Sequence, residues 1–238
     1  MIVHCIGTGS KGNCYVVGYE GQWIMLDCGV SPRKTMDWLY RNQIYLSEFE
    51  ACCITHEHGD HASAWPIFQK TSVPLVMTFG TYYALNEKKR TAMVPNAIVS
   101  SRCAYETRNF SIRAIPSRHD AREPVNYMVT NRSHGEVLLY ITDTQFFEYL
   151  ISDVTDILIE CNYDEESLLQ SETDPEQIKR IRKNHMSLES CREFLVKNAK
   201  NMRACDRIHV IHMSDRHCNE ALVKRTLEEA TGKEIIIF

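Results

Sequence analysis

The sequence has no apolar run of membrane-spanning length, which excludes a transmembrane helix. It has no internal repeat and no low-complexity tract, which sets aside repeat and biased-composition architectures. It has ten cysteines but no Cys-x-x-Cys pair and no regular spacing. They read as reduced thiols of a cytoplasmic protein, many of them acting as small core residues. There is no excess of positive charge: the formal net charge is −4. That argues against a broad nucleic-acid surface and leaves a local basic groove open. The opening Met-Ile-Val-His-Cys-Ile has no basic flank and reads as a first strand rather than a signal peptide. What is present is ordinary for a globular chain, with 44% hydrophobic and 24% charged residues. A length of 238 residues suits one large domain or two small ones with a sizeable core.

Strands are expected at 3–6, 14–19, 22–27, 51–54, 74–77, 111–115, 125–130, 136–142, 207–212 and 234–238. Helices are expected from Pro32 to about Arg41, at 62–70, 145–151, 175–182 and 187–199, and around 216–230. The acidic stretch 164–174 reads as a solvated helix and loop. This mix suggests two packed sheets with helices on their outer faces and functional groups on loops at one edge.

Residues 55–61 read Thr-His-Glu-His-Gly-Asp-His. His56, His58, Asp60 and His61 place three imidazoles and a carboxylate within six positions, the ligand types of Zn²⁺ and Mn²⁺. The segment lies between an expected strand and an expected helix, where side chains converge without helical spacing. His56 and His58, two apart, share one side of an extended chain. Asp60 and His61 reach a second point nearby, so two ions suit the set better than one.

Two ions need further ligands. His119, Asp143 and His212 each follow an apolar strand at its C-terminal end. The ordinary alternative for Asp143 is a helix N-cap, and for the two histidines a hydrogen-bonded structural role. As a metal set, His56, His58 and His119 would hold one ion, and Asp60, His61 and His212 the other. Asp143 would bridge them. Water held by two cations becomes a nucleophile near neutral pH, and the cations clamp a phosphoryl group. Asp60 is therefore a catalytic candidate as well as a ligand. Asp27 is a candidate for orienting a ligand imidazole, with a turn as the alternative.

The pattern His-x-His-x-Asp-His, a distant His, an Asp and a final His resembles the metallo-β-lactamase fold superfamily. Gly7-Thr-Gly-Ser-Lys-Gly-Asn13, Ile24-Met-Leu-Asp-Cys-Gly29, His119-Asp-Ala-Arg-Glu-Pro124, Ile159-Glu-Cys-Asn-Tyr-Asp164, Asn184-His-Met-Ser187 and His212-Met-Ser214 resemble motifs of its YycJ/WalJ-type branch. The resemblance implies one αββα sandwich over 1–238, two mixed sheets face to face with helices outside. It also implies a dinuclear site, hydrolytic chemistry and a homodimer. By resemblance His185 assists the leaving group, and Arg216 falls where ribonuclease Z relatives carry an arginine suited to phosphate. The chain departs from the branch in Asp215-Arg-His-Cys-Asn219 and in Asn184 before His185. His217 is either a substrate contact or a helix-start residue. In the Gly-rich stretch, Ser10 and Asn13 are candidate substrate contacts, with a plain hairpin turn as the alternative. Lys88-Lys89-Arg90 is a short basic run that suits a solvated face better than a phosphate grip.

These readings favour a dinuclear phosphodiesterase, foremost a DNA exonuclease attacking phosphorus with metal-activated water. The alternative is a small-molecule phosphodiesterase acting on cyclic nucleotides. A thioester hydrolase has only the shared metal motif behind it. A decayed binding protein should have lost a ligand. A diiron protein typically carries Glu at the place of His58.

Overall fold

The computed structural model describes residues 1–19, 21–89, 96–98, 104–202 and 204–238, with backbone alone for 88–89 and 96–98. The side chains of Lys88, Lys89 and Arg90 lie outside the described residues. The chain divides into two compact units, Met1–Pro116 with Ala121–Gly135, and Ser117–Asp120 with Glu136–Phe238.

In the first unit, β1 (Ile2–Gly7), β2 (Cys14–Tyr19) and β3 (Gln22–Leu26) form an antiparallel meander. Ser31 and Pro32 start α1 (Pro32–Arg41), where the fixed φ of proline suits the first helical turn. β4 (Phe49–Cys53) then pairs parallel with β3, with Leu26 opposite Cys53. After β4 come α2 (Gly59–Ala62) and a 3₁₀ helix, Trp65–Lys70. The single helix expected over 62–70 is thus two short pieces, because Pro66 cannot donate to a continuing ladder. β5 (Leu75–Met77), α3 (Phe79–Lys89) and β6 (Asn96–Ile98) follow, and the parallel pairing continues from β4 through β5 to β6. β3 and β4 are buried on both faces, as their near-continuous apolar runs require. Met25, Cys52, Ile54, Trp65, Phe68 and Leu75 are among the core residues. β7 (Tyr105–Glu106), β8 (Phe110–Pro116) and β9 (Val125–Asn131) form an antiparallel ladder, with Phe110 opposite Asn131 and Pro116 opposite Val125.

In the second unit, β10 (Val137–Ile141), β11 (Asp156–Glu160), β12 (Arg207–Ile211) and β13 (Glu234–Ile237) are all parallel. Their connections carry α4 (Glu165–Gln170), α5 (Pro175–Asn184), α6 (Leu188–Asn198) and α7 (Glu220–Thr231). Asp164, Asp174, Ser187 and Asn219 cap these helices with side-chain oxygens that accept from backbone N–H groups. Asn219 therefore sets the start of α7 four residues beyond the expected 216.

No helix forms over 145–151. The backbone there is bonded elsewhere: Gln145 N donates to Arg118 O, Phe146 O accepts from Thr144 Oγ1, and Ile151 N donates to Asn198 Oδ1. Asp143 is consequently no helix cap. Among the described residues, no helix is long and apolar enough to cross a membrane.

Candidate metal centre

In the first unit the chain leaves two adjacent parallel strands at Asp27, just past β3, and at Thr55–His61, past β4. Asp27 is fully buried and adopts φ 54, a left-handed conformation that Asp tolerates better than most residues. Its Oδ1 accepts from Thr55 N at 2.8 Å, and its Oδ2 lies 2.7 Å from His61 Nδ1. Thr55 Oγ1 stands 3.0 Å from His56 Nδ1. The His56 ring centroid lies 4.6 Å from that of His58 and 4.3 Å from that of His61. His61 Nε2 lies 3.6 Å from Asp60 Oδ2. The four residues of the heptapeptide thus converge, and Asp27 holds His61 by the nitrogen that does not face Asp60.

In the second unit the same layout recurs at the C-terminal ends of three parallel strands. Asp143 follows β10, Glu160 ends β11 and His212 follows β12. Open parallel sheets commonly present functional groups at this edge. Asp143 and His212 adopt φ 43 and 53. Asp143 Oδ1 lies 3.2 Å from His212 Nε2, and Oδ2 lies 3.4 Å from His119 Nε2. The far nitrogens are held: His119 Nδ1 lies 3.1 Å from Asn184 O, and His212 Nδ1 lies 3.1 Å from Glu160 Oε1. Glu160 Oε1 also lies 2.7 Å from His185 Nδ1, while Oε2 accepts from Thr144 N and Met186 N. Burial opposes charge on His185, yet the Glu160 carboxylate outweighs it and raises the pKa. Burial likewise opposes charge on Glu160, and His185 with His212 holds its pKa below the usual carboxylate value.

The donor chemistry fits a cation. The Asn184 carbonyl and the Glu160 carboxylate face the Nδ1 atoms of His119 and His212 and suit a proton there, which leaves each Nε2 toward Asp143 as a ligand atom. Imidazole nitrogens and a carboxylate gathered in this way are the donor set of a borderline divalent cation. Two ligand atoms about 2.1 Å from one tetrahedral ion stand about 3.4 Å apart. The separations of 3.2, 3.4 and 3.6 Å at His212–Asp143, His119–Asp143 and His61–Asp60 match that edge.

Comparison with known proteins supplies the fold. Residues 7–121 match the model of the Metallo-beta-lactamase superfamily. The crystal structure of the metallo-beta-lactamase fold protein YhfI from Bacillus subtilis superposes with a TM-score of 0.73 at 14% identity, covering 99% of this chain and 95% of that one. The chain is a metallo-β-lactamase-fold protein. Its architecture is the αββα sandwich of two mixed sheets. It is 24% identical over 169 residues to the exodeoxyribonuclease YycJ of Bacillus anthracis, covering 68% of this chain. It is 26% identical over 171 residues to the exodeoxyribonuclease WalJ of Streptococcus pneumoniae, again covering 68% of this chain. The matched stretches span 63% of the length of each of these relatives.

Other candidate residues of this metallo-β-lactamase-fold chain fall in different settings. Asn13 is fully buried. Its Oδ1 accepts from Gly9 N, its Nδ2 lies 3.1 Å from His61 Nε2, and its backbone N donates to Asp60 O at 2.7 Å. It braces the His56–His61 loop rather than offering a surface contact. Ser10 is exposed at the tip of that turn. Arg216 is exposed in the turn after His212. His217 is buried, with Nε2 2.7 Å from Thr173 Oγ1 and Nδ1 3.0 Å from Ser214 Oγ. Both ring nitrogens are engaged within the unit, which favours the structural alternative over a substrate contact.

The sequence reading gave no role to Glu160, Asn162, Thr55 or the Asn184 carbonyl. Asn162 Nδ2 donates to His212 O at 2.9 Å. Glu160 carried a usable signal: a charge closing the apolar run Ile157–Ile159, as Asp143 and His212 close theirs. A backbone carbonyl acting on a ligand leaves no such mark.

Proposed function

We propose that the chain is a metal-dependent hydrolase, a phosphodiesterase that acts as a nuclease on DNA in exonuclease fashion. The observation that carries the metal part is Asp143, which turns one oxygen to His119 and the other to His212. A carboxylate so placed suits two ions, with the two histidines divided between them. His56, His58 and His119 would hold one Zn²⁺ or Mn²⁺ ion, and Asp60, His61 and His212 the other. Two such ions, when bound, activate water and polarise a phosphoryl oxygen.

The protein's own groups do the rest. Asp27, Thr55, Asn184 and Glu160 fix the ligand rings so that Nε2 faces inward. His185, whose pKa the Glu160 carboxylate raises against the effect of burial, is placed to give a proton to a departing alkoxide. Arg216, on an exposed turn, suits a phosphate oxygen. The nuclease part rests on the exodeoxyribonuclease names of the two curated relatives.

The test is to incubate metal-loaded protein with end-labelled DNA and, in parallel, with a panel of cyclic nucleotides, using Asp60→Ala as the control. Stepwise shortening of DNA by the wild type alone is expected. Turnover of cyclic nucleotides with DNA left intact would overturn the nuclease reading in favour of a small-molecule phosphodiesterase. Turnover that survives in Asp60→Ala would overturn the site.

A further inference from the structure

The segment after Asp143 has an unusual build. It has neither helix nor strand over 144–151, yet it is fastened along its length. Ser117 Oγ donates to Asp143 O at 2.6 Å, Arg118 N to Thr144 Oγ1 at 3.1 Å, and Gln145 N to Arg118 O at 3.1 Å. These bonds zip the residues just before His119 to the residues just after Asp143. Further along, Phe147 is buried, its ring centroid 5.3 Å from that of Phe194 and 5.2 Å from that of Tyr149. With Phe147 anchored inward, its neighbour Phe146 remains 37% exposed. The Arg118 guanidinium lies over the Phe146 ring, 4.6 Å from its centroid. That side chain is 55% exposed and touches Glu148 Oε1 at 3.1 Å.

We propose that Arg118 and Phe146 form a nucleotide subsite beside the metal ligands, the guanidinium for a backbone phosphate and the ring for an unpaired base. This rests on the nuclease reading and names the part of the substrate that flanks the scissile bond. Three features carry it. The pair is one residue from His119 and three from Asp143, both proposed ligands, so whatever it holds lies next to the chemistry. The loop is tethered at Asp143, Thr144, Gln145 and Phe147, which lowers the ordering cost of binding. An exposed aromatic ring with a stacked arginine is the pair of groups that grips single-stranded nucleic acid irrespective of sequence. The Arg118–Glu148 contact does not stand in the way, because an exposed ion pair contributes little and yields to phosphate.

The test uses metal-loaded protein and single-stranded oligonucleotides, one series normal and one with abasic nucleotides at both ends. KM and kcat are measured by product release. Affinity is measured by fluorescence anisotropy on non-cleavable phosphorothioate versions. Phe146→Ala should raise KM and Kd on the normal series by roughly 5- to 150-fold, the range of a lost base stack. The penalty should vanish on the abasic series, and Phe146→Trp should restore affinity. Arg118→Gln should weaken both series and flatten the dependence of log affinity on log salt by about one phosphate's worth. An equal penalty for Phe146→Ala on both series, or none on either, would overturn the subsite while leaving the nuclease reading intact. So would gel filtration in which Phe146→Ala turns a dimer into a monomer, which would make the patch an interface between copies. A wild type inert on every oligonucleotide but active on cyclic nucleotides would overturn both.

Discussion

Replacing Asp27 by Asn is the sharpest probe of the candidate metal centre, because it changes almost nothing except a tautomer. Asp27 adopts φ 54, a conformation that Asn accepts as readily as Asp, so the backbone stays. The side chain keeps its size in a fully buried site. In the wild type, Oδ1 accepts from Thr55 N at 2.8 Å and Oδ2 lies 2.7 Å from His61 Nδ1. That second contact keeps the His61 proton on Nδ1 and turns the Nε2 lone pair inward, where Asn13 Nδ2 lies at 3.1 Å and Asp60 Oδ2 at 3.6 Å.

The amide has two ways to sit, and both fail. With its NH₂ toward His61, the ring must accept at Nδ1 and carry its proton on Nε2, which then cannot bind a metal. With its oxygen toward His61, the NH₂ confronts the Thr55 N–H and a buried donor is left unmatched, at about 1–3 kcal/mol. Loss of a partner that orients a metal-bound imidazole typically weakens metal affinity 10- to 100-fold, or about 1.4–2.8 kcal/mol. Competition against a chromophoric chelator for Zn²⁺ and Mn²⁺ would read that loss directly. Nitrogen chemical shifts of the imidazoles would report the His61 tautomer in the metal-free protein. Unchanged metal affinity in Asp27→Asn, with His61 still protonated on Nδ1, would refute the reasoning.

Three further outcomes follow from the same geometry. Asp143→Ala removes both oxygens that face His119 and His212, so metal content by atomic emission should fall, and turnover should drop by about three orders of magnitude. Retained metal with retained turnover would rule out the bridging role. A methyl group at Gly29 would stand 1.6 Å from Asp60 O and 2.6 Å from His61 N, so Gly29→Ala must displace the ligand loop. A loss of at least about 3 kcal/mol is expected, seen as a fall in Tm of roughly 10 °C; an unchanged Tm would contradict the close approach. Burial lowers the pKa of His209, in β12, to about 4, against an ordinary value of about 6.5. The unfolded chain therefore takes up this proton first, so the contribution is whole above pH 6.5 and disappears as pH falls through about 4. Up to about 3 kcal/mol is at stake, less what the solvent reaching the ring screens. Urea unfolding at pH 7 and 4.5 should show a smaller acid loss in His209→Leu than in the wild type, and equal losses would remove His209 from the account.

Much of the fold is legible in the residues themselves. Ser31-Pro32 marks the start of α1, and the apolar runs at 137–141 and 207–211 mark buried parallel strands, because proline geometry and continuous burial are local constraints. The segments that escaped such reading answer to distant partners. Residues 145–151 have helical composition but bond to Arg118 and Asn198 instead. α3 carries no clear apolar periodicity, and Pro66 splits the helix expected after the heptapeptide. At the candidate site, the groups that close a strand with a His or Asp stand out in sequence. Those that act through them do not. Glu160 reaches His185 and His212, which lie 25 and 52 positions away, and the Asn184 carbonyl reaches His119 across 65.

The backbone gives a reason why these strand ends, and not others, are suited to a metal. Five described non-glycine residues have positive φ, and three of them are Asp27, Asp143 and His212. Each sits where a buried parallel strand stops, and each turns its side chain out of the pleat at the point where an ordinary residue would continue it. Such conformations cost on the order of 1–3 kcal/mol and persist where surrounding contacts over-determine them. Here those contacts are visible: Thr55 on Asp27, Ser117 on the Asp143 carbonyl, and Asn162 on the His212 carbonyl. For Asp143 and His212 the strained turn brings two ligand atoms to 3.2 Å from one another, a separation that suits a shared cation. A bound cation would offset the cost of the strained backbone without relieving it. Metal binding should therefore raise the stability of the folded chain, and chelation should lower its urea midpoint; an unchanged midpoint would count against a metal at these strand ends.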